Sequence, residues 1–134
     1  MSTNSPFNQY FETQVLTASP GKLLVMTYDA AIRFARTAQE SMKQGNLYEQ
    51  GANIHKVQNI LLELMSSLNP KADEQLAANL DALYTYMFDR LTHANVHDDM
   101  PALDEVLNIL TELRATWAEA EQLARTSTTQ AEAA

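Results

Sequence analysis

Apolar residues return every three or four positions along four successive stretches of the chain, the period of a helix with one buried face. The first stretch runs through Leu24, Tyr28, Ala31, Phe34, Ala38 and Met42. Ser19 suits its N-cap, Pro20 fits the first helical position, where a missing N–H costs nothing, and Gly45 offers a stop. The second follows Asn46, another N-cap type, and puts Leu47, Ile54, Leu61, Met65 and Leu68 on a stripe interrupted by Gly51 and Gln58. Val57, Ile60 and Leu64 widen that stripe. "NPKAD", 69 to 73, then breaks the pattern, because a residue before proline is pushed out of helical geometry.

The third stretch carries Leu76, Leu80, Leu83, Met87, Leu91 and Ala94, with Tyr84, Tyr86 and Phe88 on adjacent faces, and is expected to end near Asn95. Asp98 or Asp99 caps the fourth, whose stripe is Leu103, Val106, Leu110, Leu113, Trp117, Ala120 and Ala124. Amphipathic helices of similar length on short links predict an all-α, antiparallel up-and-down four-helix bundle over residues 19 to 125. Residues 1 to 18 fall outside it, yet Phe7, Tyr10, Phe11, Val15 and Leu16 give them apolar groups able to dock on it as a cap. Residues 126 to 134, "TSTTQAEAA" in their setting after Arg125, have nothing to bury and are expected to be a disordered tail.

Composition narrows the function classes. The net charge of −8 argues against nucleic acid as a partner, since phosphate affinity needs clustered Lys and Arg. Residues 19 to 46 are nevertheless net positive, whereas 98 to 123 hold seven acids against Arg114, a solvated face or a dock for a basic partner. The absence of Cys removes disulfides and thiolate chemistry and fits a cytoplasmic setting. The N-terminus lacks a secretory pattern, and no stretch approaches the ~18 apolar residues of a membrane span.

Candidate chemistry is sparse. "SPGK" at 19 to 22 suggests a phosphate loop, but Leu16 stands where the first Gly is needed and Leu23 where a hydroxyl must reach Mg²⁺. Carboxylate-bridged metal bundles need Glu-x-x-His, which does not occur. Asp89, His93 and His97 share a helical face and form an alternative, a metal-dependent bundle enzyme; more simply, Asp89 and His93 pair on the surface, with His97 in the loop. His55 is read as solvent-facing. No Ser sits in a nucleophile elbow, and the acidic pairs at 73/74, 98/99 and 104/105 suit helix starts. Neither a cofactor nor catalysis is expected.

What remains is apolar surface in excess of one core face. "LYTYMFDRL" on the third helix and "ILLEL" on the second spread apolar residues over more than one side, which suggests a groove for another amphipathic segment, or for a second copy of the chain.

At these residues the chain resembles the bacterial flagellin export chaperones of the FliS family. The resemblance rests on "VLTASPGKLLVMTYDAAI" with Tyr10 before it, "IHKVQNILLELMSSLN", "NLDALYTYMFDRLTHAN" and "LNILTELRATWAEA", in that order, over residues 7 to 123. Thr27 and Ala30 depart from the Leu and Gly common in the family's "MLYDGA" segment. The resemblance implies a cytosolic chaperone that binds the C-terminal helical region of flagellin, prevents its premature polymerisation, and assists delivery to the flagellar export gate without ATP. It implies a displaceable N-terminal cap around Tyr10. The residues expected to meet the partner are Tyr10, Val15, Tyr28, Ile32, Leu61, Leu64, Leu68, Tyr84, Tyr86 and Met87. The free protein is expected to be monomeric or weakly self-associating.

Overall fold

A computed structural model of the chain describes residues 20–133, with side chains through 127. Within them lie four helices: α1 (Pro20–Lys43), α2 (Leu47–Ser66), α3 (Glu74–His97) and α4 (Met100–Ala133). The expected cap segment, with Tyr10 and Val15, lies outside the described residues.

The helix ends follow local chemistry. Gly45 sits at φ 72°, its N–H reaching the Met42 carbonyl at 3.2 Å while the Asn46 N–H reaches that of Ser41 at 2.9 Å. This is the Schellman closure of α1, which needs a left-handed residue at that point. Asn46 then accepts from the Glu49 N–H at 3.1 Å to cap α2, and Asp73 from the Leu76 N–H at 3.0 Å to cap α3. Of the two candidates before α4 it is Asp99 that caps, accepting from the Ala102 N–H at 3.2 Å; Asp98 instead closes α3 in the left-handed conformation. His97, expected in the loop, is therefore the last residue of α3, because closure falls two residues later than the Asn95 stop. The fourth helix continues past 125 to Ala133, where no Gly or Pro halts it, although side chains from Gln122 to Ser127 are all exposed.

Each helix packs against two neighbours, α1 on α2 and α4, and α3 on the same two, the square of an up-and-down bundle. Polar ties fix the antiparallel sense. Gln39 near the end of α1 bonds Asp104 at the start of α4, and Asp29 near the start of α1 meets Arg114 far along α4 at 2.8 Å. The buried Gln50, early in α2, donates to Asp98 at 2.9 Å at the close of α3. Gln58, which interrupts the apolar stripe of α2, is also buried; its amide donates to the Phe88 carbonyl at 3.1 Å and the Thr92 hydroxyl at 2.9 Å. The interruption is thus a cross-helix tie rather than a gap in packing.

The core comprises Ala31, Ala35 and Ala38 of α1, small enough for close approach, against Ile54, Val57 and Leu61 of α2, Met87 and Leu91 of α3, and Leu103, Val106 and Leu110 of α4. On α3 the inward line is Ala77, Leu80, Tyr84, Met87, Leu91 and Ala94. It is turned one residue from the expected line at both Leu76, which is exposed, and Leu83, which is partly buried. Tyr84 can take the inner position because its hydroxyl has a partner there.

Candidate functional site

Three helix ends and one helix flank meet at one end of the bundle: the start of α1, the end of α2, the start of α3, and α4 near Trp117. The links at the opposite end are short, 44–46 and 98–99, and hold their helices together; the link at this end spans 67–73. Within it the Asn69 side chain accepts from the Lys71 N–H at 3.1 Å, a local turn that leads the chain around the end. Between the helices lies a groove of about 230 Å³ whose apolar wall includes Leu24, Leu64, Leu68, Leu76, Leu80 and Trp117. A second hollow of about 320 Å³ shares Leu68 and Ala77 with it and carries the concavity around the α2–α3 side to Met65 and Pro70.

Tyr84 also lines the groove, and beneath it lies a polar cluster. The hydroxyls of Tyr28 and Tyr84 are 2.5 Å apart, and Trp117 donates its Nε1–H to the Tyr28 oxygen at 3.3 Å. Burial pushes the Tyr28 hydroxyl above the ordinary tyrosine range, partly offset by its bonds to Tyr84 and Trp117. Burial raises Tyr84 further, and the Tyr28 bond adds to that. Both remain neutral hydroxyls at any physiological pH.

The structure distributes the expected partner contacts unevenly. Tyr28, Leu61 and Met87 are interior residues and offer no surface to a partner in this conformation, because the i, i+3, i+4 stripe that carries them faces the bundle axis; Ile32 is buried as well but lines a separate hollow on α1 among Asp29, Arg33 and Arg36. Leu64 and Tyr84 are buried too, but they form part of the groove wall, as does the half-buried Leu68. Tyr86 is 45% exposed and lies elsewhere, on the α3–α4 side, where its hydroxyl donates to Glu105 at 2.9 Å beside Arg90. That acceptor raises the Tyr86 pKa. Periodicity places Leu24, Leu76, Leu80 and Trp117 on core stripes; Leu80 is buried in the core and also lines the groove, Leu24 and Trp117 pack against the core from the groove side, and Leu76 is exposed in the groove wall. A positional signal marks the first three, which lie in the opening turns of α1 and α3, whereas Trp117 lies mid-way along α4 and carries no such signal.

The alternative metal site does not assemble. His93 bonds Asp99 at 3.0 Å rather than Asp89, and its ring lies 4.6 Å from that of His97. Among the described residues no group of three or more His, Cys, Asp or Glu could hold a metal ion. The Asp99 carboxyl is held below the usual range, first by the Ala102 N–H and then by His93. His55 is exposed, as read. No helix among the described residues is long and apolar enough to cross a membrane.

Fold and site together define an all-α bundle with an apolar groove at one end. The model of the family described as "Flagellar protein FliS" matches residues 3–124, nearly the whole chain. The chain is 34% identical over 125 residues to the flagellar secretion chaperone FliS of Bacillus subtilis, covering 93% of this chain and 92% of that protein. It is 33% identical over 106 residues to the chaperone of the same name from Vibrio cholerae, covering 79% and 78%. The fold is similar to that of a bacterial flagellar chaperone crystal structure at a TM-score of 0.73 and 21% identity, over 87% of this chain and 98% of that one. The chain belongs to the FliS family of flagellar secretion chaperones.

Proposed function

We propose that this chain binds the C-terminal helical region of flagellin in the groove at the open end of the bundle, keeps it from polymerising in the cytosol, and assists its delivery to the flagellar export gate. The observation that carries the proposal is the apolar wall formed by Leu24, Leu68, Leu76 and Trp117, with its continuation past Met65 along α2 and α3. An amphipathic helix buries its apolar face in such a groove and leaves its polar face in water. Shielding that face would stop the segment from finding another flagellin. Binding by burial requires no hydrolysis, so release would follow from competition at the export gate.

The family membership supports a secreted flagellar subunit as partner, and the excess of acidic groups supports a chaperone that stays dispersed while carrying it. α1 begins at Pro20, four residues before Leu24 of the groove wall, which supports a role for the preceding segment at this site. We read it as a competitor that the partner displaces. Calorimetric titration of the intact chain with a peptide of the flagellin C-terminal region tests the proposal. Saturable binding at micromolar concentration or below is expected, and no heat at those concentrations would refute it.

A further inference from the structure

The hollow that carries the groove around to Met65 and Pro70 is bordered by two acids of α3, Glu74 and Asp81. They lie seven residues apart on one face of that helix, two turns or about 10 Å along its axis, with the small Ala77 and Ala78 between them. Both are exposed, and neither carboxylate has an ion pair or hydrogen bond among the described residues. No Lys, Arg or His lines this hollow or the groove, and Lys71 of the nearby link lines neither. Outside the described side chains no base is available either: residues 1–19 and 128–134 contain no Lys, Arg or His. Glu74 has a local reason for its place, since an acid in the first turn of α3 suits the helix dipole. Asp81 has none, for it sits two turns inside the helix, where Asp is a poor helix former.

We propose that Glu74 and Asp81 form a charge-reading rim on this surface, and that the segment which fills it is an amphipathic helix carrying Lys or Arg beside its apolar stripe. The inference rests on the groove being the binding site and adds the charge of its occupant. A helix laid over Met65, Leu68 and the two alanines covers part of the carboxylates' hydration. A neutral helix leaves that loss uncompensated, and an acidic one is repelled as well. A Lys or Arg compensates it, because its long stem lies along the apolar surface while its charged head reaches the rim. The same chemistry separates the partner from the segment before α1, whose sole charged side chain is Glu12. As an occupant that segment has no basic side chain to offer the rim, so a cationic helix holds an advantage in displacing it.

The test titrates a synthetic peptide of the flagellin C-terminal region into the intact chain, Asp81→Asn and Glu112→Gln by calorimetry. Glu112→Gln makes the same charge change at an exposed site of α4 that lines neither hollow. Asp81→Asn is expected to bind about three- to fivefold more weakly at low salt, the worth of one rim ion pair. The difference should close at about 1 M salt, where charges are screened beyond ~3 Å. Glu112→Gln should match the intact chain. Peptides with each Lys and Arg replaced in turn by Gln are then titrated into the intact chain and Asp81→Asn, and at least one replacement should weaken the first and not the second. Equal weakening by both protein variants would reduce the effect to the net charge of the chain. That result, or a tightly bound peptide none of whose bases couples to Asp81, would overturn the inference while leaving the apolar groove as the binding site. If Asp81→Asn does not fold, Glu74→Gln takes its place with the same expectations. Failure of the intact chain to bind would instead remove the functional reading on which the inference rests.

Discussion

The hydroxyl of Tyr28 lies 2.5 Å from that of Tyr84, 56 residues away, and joins α1 to α3 across the bundle, while Trp117 joins the same oxygen from α4. One interior oxygen thus ties three helices together. Tyr28→Phe strands the Trp117 N–H and removes the partner of Tyr84, at a cost of about 1–3 kcal/mol for buried groups left unpaired. Urea unfolding should show that loss. Because Trp117 is the chain's sole tryptophan, its emission should shift in the folded variant as well. An unaltered spectrum and midpoint would mean that the cluster contributes nothing to the fold.

The same pair predicts an alkaline limit. Both hydroxyls titrate above the ordinary tyrosine value in the fold, so the folded state retains protons that the unfolded chain has released. The stabilisation is complete below about pH 10, where an unfolded tyrosine ionises, and declines as pH rises from there toward the elevated folded values. Denaturation midpoints measured from pH 8 to 11 should be level at first and then fall. In Tyr28→Phe the fall should be shallower, since one raised hydroxyl of the pair is gone while the raised Tyr86 contributes to both proteins.

Gly45 gives a prediction that depends on the backbone alone. Its φ of 72° closes α1, and a Cβ added there would meet nothing within 4 Å. Gly45→Ala should therefore cost about 1–2 kcal/mol through left-handed strain and not through a clash. Gly45→Asn should cost less, because Asn tolerates that conformation. Thermal unfolding of the two variants would rank them; a fully stable Ala variant would show that the helix can end in another way.

How much of this was legible in the sequence depended on whether a residue's surroundings are local. Asn46, Asp73 and Gly45 act within a few residues of themselves, and the helix boundaries they set follow from the chain read in order. The fourfold apolar period likewise led to the bundle. What the pattern could not resolve was the division between core and groove, which depends on how far two helices diverge at their ends. Leu61 and Leu68 lie seven residues apart on one expected stripe, yet the first is sealed within α2 and the second lies past its end at Ser66, in the link that lines the groove. Tyr84 took an interior place in preference to Leu83 because a hydroxyl on another helix waits for it, and a single-helix pattern carries no record of that. His93 chose Asp99 over Asp89 for a similar reason: the chain reverses at Asp98 and brings the α4 cap back toward the ring.

The segment before α1 is read as a competitor for the groove. Removing residues 1 to 16 should then raise the binding of an apolar dye, or promote self-association visible by light scattering, as the wall at Leu24, Leu68 and Leu76 loses cover. The truncated chain should also bind the flagellin peptide more tightly, because nothing has to be displaced first. Unchanged dye binding together with unchanged affinity would mean that the segment does not guard the site. Light scattering of the intact chain, alone and with flagellin, separates a monomer that forms a one-to-one complex from a bundle whose apolar faces meet one another.

Leu76 and Tyr86 allow the binding surface to be located with little risk to the fold, since each is 45% exposed. Leu76 is part of the groove wall, whereas Tyr86 stands on the α3–α4 side with its hydroxyl on Glu105. A carboxylate in the apolar wall must either lose its hydration when a partner docks or hold the partner away. Leu76→Asp should therefore weaken peptide binding by at least about tenfold, equivalent to about 1.4 kcal/mol, with little change in the melting temperature. Tyr86→Ala should leave binding within about twofold, because the groove does not include it. Circular dichroism confirms that both variants fold, and titration with the same peptide then compares them. The reverse ranking, with Tyr86→Ala disabled and Leu76→Asp unaffected, would move the partner from the open end of the bundle to the exposed face between α3 and α4.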